Sequence, residues 1–253
     1  MKSVLLAMMT VVFFATSFYT KENKTNVGSA TSTVPKKTNT VPTEAKKTAV
    51  TAAEVYSEIN FANVKQLNAE IFDKAYRGFM NLKAAGKLPA EAHLLTVCDF
   101  SLSSTQKRLW VIDLENKTVL FNSLVAHGKN TGDEFATRFS NTESSLQSSL
   151  GFYVTDVTYN GNNGYSLRLH GMDAGYNDAA LQRAVVMHGA DYVSEDFIRA
   201  HKRIGRSWGC PAVPRALAEP IINTIKGKNC LFIYYPDSQY LSASKWLNSG
   251  EMV

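Results

Sequence analysis

Apolar residues recur at three-to-five-residue intervals over Val55, Ile59, Ala62, Leu67, Ile71, Ala75, Phe79 and Leu82. That spacing gathers them on one side of a helix and predicts one or two amphipathic helices from about Thr51, ended by Gly86 and Pro89. Beyond Pro89 the texture becomes strand-like. LLTVCDF, RLWVIDL and KTVLFNSLVAHG are short β-rich runs, with ENKT as a tight connection between the last two. GFYVTDVTYN and YSLRLHGM flank Gly161-Asn162-Asn163-Gly164, a hairpin signal. AALQRAVVMHGA reads as a helix leading into a strand. SEDFIRAHKRI reads as a short helix capped by Ser194, with Glu195 and Asp196 in its first turn. A helix over VPRALAEPIINTIKG and a strand over NCLFIYYP follow. The pattern predicts an α+β fold, a mostly antiparallel β-sandwich or barrel with peripheral helices. The β-rich domain is placed at residues 91–240, after a helical extension at 51–90.

Neither period extends into the first fifty residues. Residues 21–50 contain no aromatic and several Thr, Pro and Lys clusters, the composition of a solvated tether. Residues 1–20 read as a signal peptide: Lys2, an apolar stretch from Val4 to Ala15, and small residues at Ala15 and Ser17 before Phe18. The apolar stretch is shorter than the roughly 20 residues a spanning helix needs, so cleavage is favoured over a retained anchor. The expected location is the periplasm or cell envelope, with no stable membrane span in the mature chain.

Charge changes the picture only by its position. Residues 1–50 hold seven lysines and two glutamates, which account for the whole formal charge of +5. The rest of the chain is neutral, which argues against nucleic acid as a partner.

Three cysteines, Cys98, Cys210 and Cys230, are too few and scattered for a disulfide scaffold or a zinc site. Cys98 and Cys230 fall in apolar strand-like runs and read as buried small hydrophobes. Cys210 follows Ser207-Trp208-Gly209 in a glycine-containing turn, twenty-two residues after His188 at the end of AVVMH. A thiol nucleophile needs a base, a group that orients the base, and N–H donors for an oxyanion. His188 on a strand end is a candidate base, and the carbonyl of Gly189 a candidate acceptor that fixes its tautomer. Arg203 and Arg206 lie near enough in sequence to favour a thiolate or to bind a carboxylate. A thiol paired with His188 should therefore titrate below its ordinary value.

The string HGADYVS…RIGRSWGCPAVP resembles the signature of the YkuD-like L,D-transpeptidases, in particular the branch called murein L,D-transpeptidase catalytic domain proteins. DFS, KRLWVIDL, LFNSLVAHGKNTG, FSN, SSLGFY and YSLRLHGMDAGYNDAA extend the likeness over residues 94–235. The resemblance implies acyl transfer on the tetrapeptide stems of peptidoglycan, without metal or cofactor. Cys210 would be the nucleophile, His188 the base and Gly189 its orienting carbonyl. Ser207, Trp208, Gly209 and Arg206 would shape the substrate pocket.

Two positions depart from the family pattern. A basic residue or His commonly stands where Trp208 is, and an Arg where Ala212 is; Arg206 and Arg215 are the candidate substitutes. Trp208 reads equally as packing or as a lid on the glycan. His127 and His170 also precede a glycine but lie outside the thiol motif; His127 is the better second choice for substrate contact. Ser148 and Ser149 read as hydrogen-bonded serines. Asp173, Asn177 and Asp178 read as a turn and helix cap, since their spacing fails the calcium-loop pattern. Hydrolysis of the same stems, a catalytically retired peptidoglycan binder and, last, a cysteine peptidase are the competing readings.

Overall fold

The computed structural model describes residues 50–249. The expected signal peptide and tether, apart from Val50, lie outside the described residues. No helix among the described residues is long and apolar enough to cross a membrane.

Helix α1 (Ala52–Glu58) opens with a reciprocal capping box. Thr51 accepts from the N–H of Glu54, and the Glu54 carboxylate accepts from the N–H of Thr51. Helix α2 (Ala69–Ala84) is capped by the Asn68 side chain, which accepts from the N–H groups of Glu70 and Ile71. Its buried face, Ile71, Phe72, Ala75, Phe79 and Leu82, follows the helical period and packs on the sheet. Full burial of each large side chain contributes about 1.5–3 kcal/mol.

Eight strands form one sheet: β1 (Leu94–Asp99), β2 (Leu109–Asp113), β3 (Thr118–Ser123), β4 (Gly151–Gly161), β5 (Gly164–Gly171), β6 (Val186–Ala190), β7 (Ala212–Pro214) and β8 (Cys230–Tyr234). Their order is β3-β2-β1-β8-β4-β5-β6-β7. Only β1–β8 and β6–β7 are parallel; every other pair is antiparallel. The sheet nearly closes on itself, because the chain leaving one edge strand, β3, returns to the other edge. Ala126 bridges Ala212 of β7, and Gly128 bridges Ser207. The predicted β-rich, largely antiparallel fold with peripheral helices is the observed one.

Helix α3 (Glu195–His201) is capped by Ser194 as expected, and α4 (Arg215–Ile225) packs on β6. The helix expected over AALQRAVV is instead a series of turns, ending with Ala184 at φ 53° before β6 begins. Two short helices were not foreseen, α5 (Ser238–Ala243) and α6 (Lys245–Asn248). They are fastened by polar bonds that apolar periodicity does not report. Asp173 accepts from the N–H of Phe152 at 2.7 Å and from Ser244 Oγ at 2.5 Å, and Asn81 donates to the carbonyl of Trp246 at 2.8 Å. Asp173 and Asn177 thus form a buried clamp within turns, and no helix follows the cap expected there.

Candidate active site

Strand β6 carries His188, and β7 begins two residues after Cys210. The two strands are parallel, with His188 opposite Ala212. Extending that register by two residues sets Cys210 beside Val186, and the Val186 N–H lies 3.5 Å from Cys210 Sγ. Cys210 itself lies in the bend that precedes β7.

His188 is buried, and its Nδ1 lies 3.1 Å from the carbonyl oxygen of Gly189. A carbonyl only accepts, so Nδ1 carries the hydrogen and Nε2 keeps its lone pair. Nε2 has no hydrogen-bond partner among the described residues. Burial, and secondarily Arg215, hold the imidazole below the ordinary histidine value, against the Gly189 bond. The expected orientation of the ring is present. Gly189 serves a second purpose, because a Cβ there would lie 2.8 Å from Ala218 Cβ, inside the contact between β6 and α4.

Cys210 is half-buried, whereas Cys98 and Cys230 are fully buried in β1 and β8. Burial pushes the Cys98 thiol up to about 12 and raises Cys230 further, so neither offers a thiolate. The Cys210 thiol is also raised by its dense surroundings, offset by the Val186 N–H and by Arg183. It points to the carbonyl of Ala184 at 3.8 Å and makes no hydrogen bond to His188. The lowered thiol expected from pairing with His188 is therefore not the resting condition. Burial thus works against the charged form of both groups, the imidazolium of His188 and the thiolate of Cys210.

The turn carrying Cys210 is folded by Ser207. Its Oγ accepts from the N–H of Gly209 at 3.0 Å and donates to the carbonyl of Cys210 at 2.6 Å. Gly209 has φ +126°, and a Cβ there would sit 2.7 Å from the carbonyl oxygen of Gln147. Only glycine meets both conditions without strain. Ser148 joins this turn to the loop after β3: its Oγ donates to the Gly209 carbonyl at 3.2 Å and accepts from the Gly128 N–H at 3.0 Å. Trp208, 79% exposed, projects from the turn and is not a packing residue.

Two expected substrate contacts are placed elsewhere. His127 is 1% exposed and has both nitrogens engaged, Nδ1 with Arg108 at 2.8 Å and Nε2 with the Gly132 carbonyl at 3.3 Å. Desolvation first, then the Arg108 charge, push it down to about 3. His127 holds the loop that the Cys210 turn leans on, and its ring has no nitrogen left for substrate. Arg206 binds Asp133 at 2.5 Å and the Gly132 carbonyl at 3.1 Å, tying the same loop; Arg215 binds Asp191 at 2.6 Å. Both candidate substitutes for the family arginine are thus paired with carboxylates. The cation whose charge reaches the thiol is Arg183, which the sequence reading passed over because it stood in a presumed helix.

The fold and this site define a cysteine-bearing closed sheet of the L,D-transpeptidase type. Residues 63–234 match the L,D-transpeptidase catalytic domain family, and the chain belongs to that family. Solved structures similar to this chain include an L,D-transpeptidase from Mycobacterium smegmatis, at 12% identity and TM-score 0.35, covering 57% of this chain and 59% of that one. Another is an L,D-transpeptidase from Mycobacterium tuberculosis H37Rv, at 14% identity and TM-score 0.34, covering 57% and 58%. A third is the helical cell shape determining protein Pgp2 from Campylobacter jejuni, at 13% identity and TM-score 0.37, covering 68% and 61%. The match spans less than two thirds of each of these chains. No curated protein matches the sequence.

Proposed function

We propose that this protein is an exported L,D-transpeptidase that acts on the tetrapeptide stems of peptidoglycan through a thioester on Cys210. The observation that carries the reading is that Cys210, alone of the three cysteines, is not fully buried and adjoins the strand bearing His188. Membership of the family supplies the reaction class, and the partial exposure of Cys210 supports this thiol over the two fully buried ones.

In this reading His188 Nε2 takes the Cys210 proton as sulfur adds to the carbonyl preceding the terminal D-residue. The Gly189 carbonyl holds the resulting imidazolium through Nδ1–H. The Cys210 N–H makes no hydrogen bond to the described residues and is available to the oxyanion, whereas Pro211 offers no donor and the Gly209 N–H is taken by Ser207. Collapse expels the amine of the D-residue, which receives the proton from His188. An acceptor amine then attacks the thioester and releases the thiol; water in its place gives the trimmed stem. Trp208 stands on the open side of the turn as an apolar platform for substrate. Residues 1–20 direct export, residues 21–50 act as a tether, and the working place is the periplasm or cell envelope.

Incubation with a purified disaccharide-tetrapeptide, followed by mass spectrometry, tests the reading. Loss of the terminal residue with formation of a cross-linked dimer is expected, and a Cys210→Ala protein should give neither. Turnover by Cys210→Ala would overturn the mechanism.

A further inference from the structure

The cation nearest in effect to the thiol is built into the wall of the site. Arg183 sits three residues before Val186, whose N–H faces Cys210 Sγ, and its terminal nitrogen would lie 3.5 Å from a Cβ on Gly209. Its guanidinium donates through NH1 to the Ser140 carbonyl at 2.8 Å and to Ser149 Oγ. Through NH2 it donates to Ser145 Oγ at 3.1 Å and to the Gln147 carbonyl at 2.8 Å. All four acceptors are neutral, and no carboxylate pairs with Arg183 among the described residues.

Two consequences follow from that inventory. A guanidinium has five N–H groups, four of them on the terminal nitrogens that form the fork for a carboxylate. Four bonds to protein acceptors engage both prongs, so Arg183 is not disposed to clamp a substrate carboxylate. Its charge, though, is uncompensated, unlike those of Arg206 and Arg215. In partly desolvated surroundings a fixed positive charge favours a nearby anion more strongly than it would in water.

We infer that Arg183 is a positioning residue of the transfer reaction, a fixed charge that favours the Cys210 thiolate. The inference rests on Cys210 being the nucleophile. It locates the basic group that Ala212 lacks, and gives it the thiolate rather than the substrate carboxylate as its object.

The test is the pH dependence of Cys210 alkylation by iodoacetamide in the full-length protein, with the modified residue verified by peptide mass. Arg183→Gln keeps some hydrogen bonding without charge; Arg183→Lys keeps charge without the fork. At pH 7 the Gln variant should react several-fold more slowly, with the loss recovered at high pH, while the Lys variant should stay close to the unaltered protein. A pH profile unmoved in Arg183→Gln, or moved equally in both variants, would overturn the inference. If Arg183→Gln does not fold, as judged by its thermal transition, the Lys variant decides: a slowed thiol there, with charge retained, overturns the role. The fate of the functional reading is separate, since it depends on whether Cys210→Ala still turns over the tetrapeptide.

Discussion

The backbone N–H of Val186 lies 3.5 Å from Sγ of Cys210, so the strand that carries His188 also touches the thiol. The parallel register of β6 and β7 fixes this relation, with His188 opposite Ala212. The candidate base and nucleophile are thus brought together by main chain, His188 on β6 and Cys210 in the turn before β7, rather than by a side-chain bond to each other.

Such a pair makes a specific prediction about pH. Burial holds His188 below the ordinary histidine value and raises Cys210, and so works against both charged forms. Alkylation of Cys210 should rise with pH through and above neutrality, without the acid plateau of a thiolate–imidazolium pair. His188→Ala should abolish turnover and leave that alkylation profile little changed. A plateau below pH 6 in the unaltered protein would show that the ion pair forms.

The other cysteines should affect stability alone. Cys230→Ser places a hydroxyl in the fully buried core of β8, at a cost of about 1–3 kcal/mol. Thermal denaturation should show the loss, while turnover per folded molecule stays unchanged. A selective loss of turnover would move the nucleophile to β8.

Much of this fold was legible because its longer elements carry plain apolar patterns, a helical period in α2 and continuous apolar runs in β1, β2, β6 and β8. The buried face of α2 and the strands β1 to β6 and β8 are read directly from the apolar pattern. Strand β7 (Ala212–Pro214) was not foreseen, since its three residues were assigned to the Cys210 turn and the start of the following helix. The turn around Cys210 was legible by its residue types, and Gly209 at φ +126° shows why glycine stands there. The roles of His127 and Arg183 were not legible. A histidine before a glycine looks the same whether its nitrogens face solvent or Arg108. Long-range bonds such as those from Arg183 to Ser140 and Gln147 leave no periodic trace. Helices α5 and α6 escaped for the same reason, being fastened through Asp173 and Asn81.

Trp208 separates substrate contact from folding. At 79% exposure its replacement by Ala should change stability by no more than about 0.5 kcal/mol. Iodoacetamide, which is too small to use the platform, should modify Cys210 at an unchanged rate. The KM for a disaccharide-tetrapeptide should rise. An unchanged KM would remove Trp208 from the substrate site.

The amino-terminal boundary can be placed by a side chain. Thr51 closes the capping box of α1, accepting from Glu54 N–H while Glu54 accepts from its own. A protein starting at Thr51 should keep its fold and its full turnover in solution, since residues 21–50 offer little to bury. Replacing Thr51 by Ala in that protein should cost about 1 kcal/mol of helix capping. Lost turnover in the Thr51 start would make the preceding residues part of the enzyme.

Acid stability should report on His127. The ring titrates at about 3 in the folded protein, against 6.5 as the ordinary value. Between those values the unfolded chain binds a proton that the folded protein does not, so stability rises with pH across the interval. The contribution of the neutral ring is fully present above pH 6.5 and is lost as acid is added. By pH 4 the loss from this residue is on the order of 3 kcal/mol. His188 adds to it with the same sign, since its value is also lowered. Buried Asp99 and Asp173, whose values are raised, act with the opposite sign. The contribution of His127 is therefore read by comparing denaturant melts of the unaltered protein and of His127→Gln at pH 7 and pH 4. In His127→Gln the loss from pH 7 to pH 4 should be smaller, although stability at pH 7 falls because Arg108 loses an acceptor within a buried site. An equal pH dependence in the two proteins would mean that the imidazole is charged in the fold, with Arg108 turned away from it.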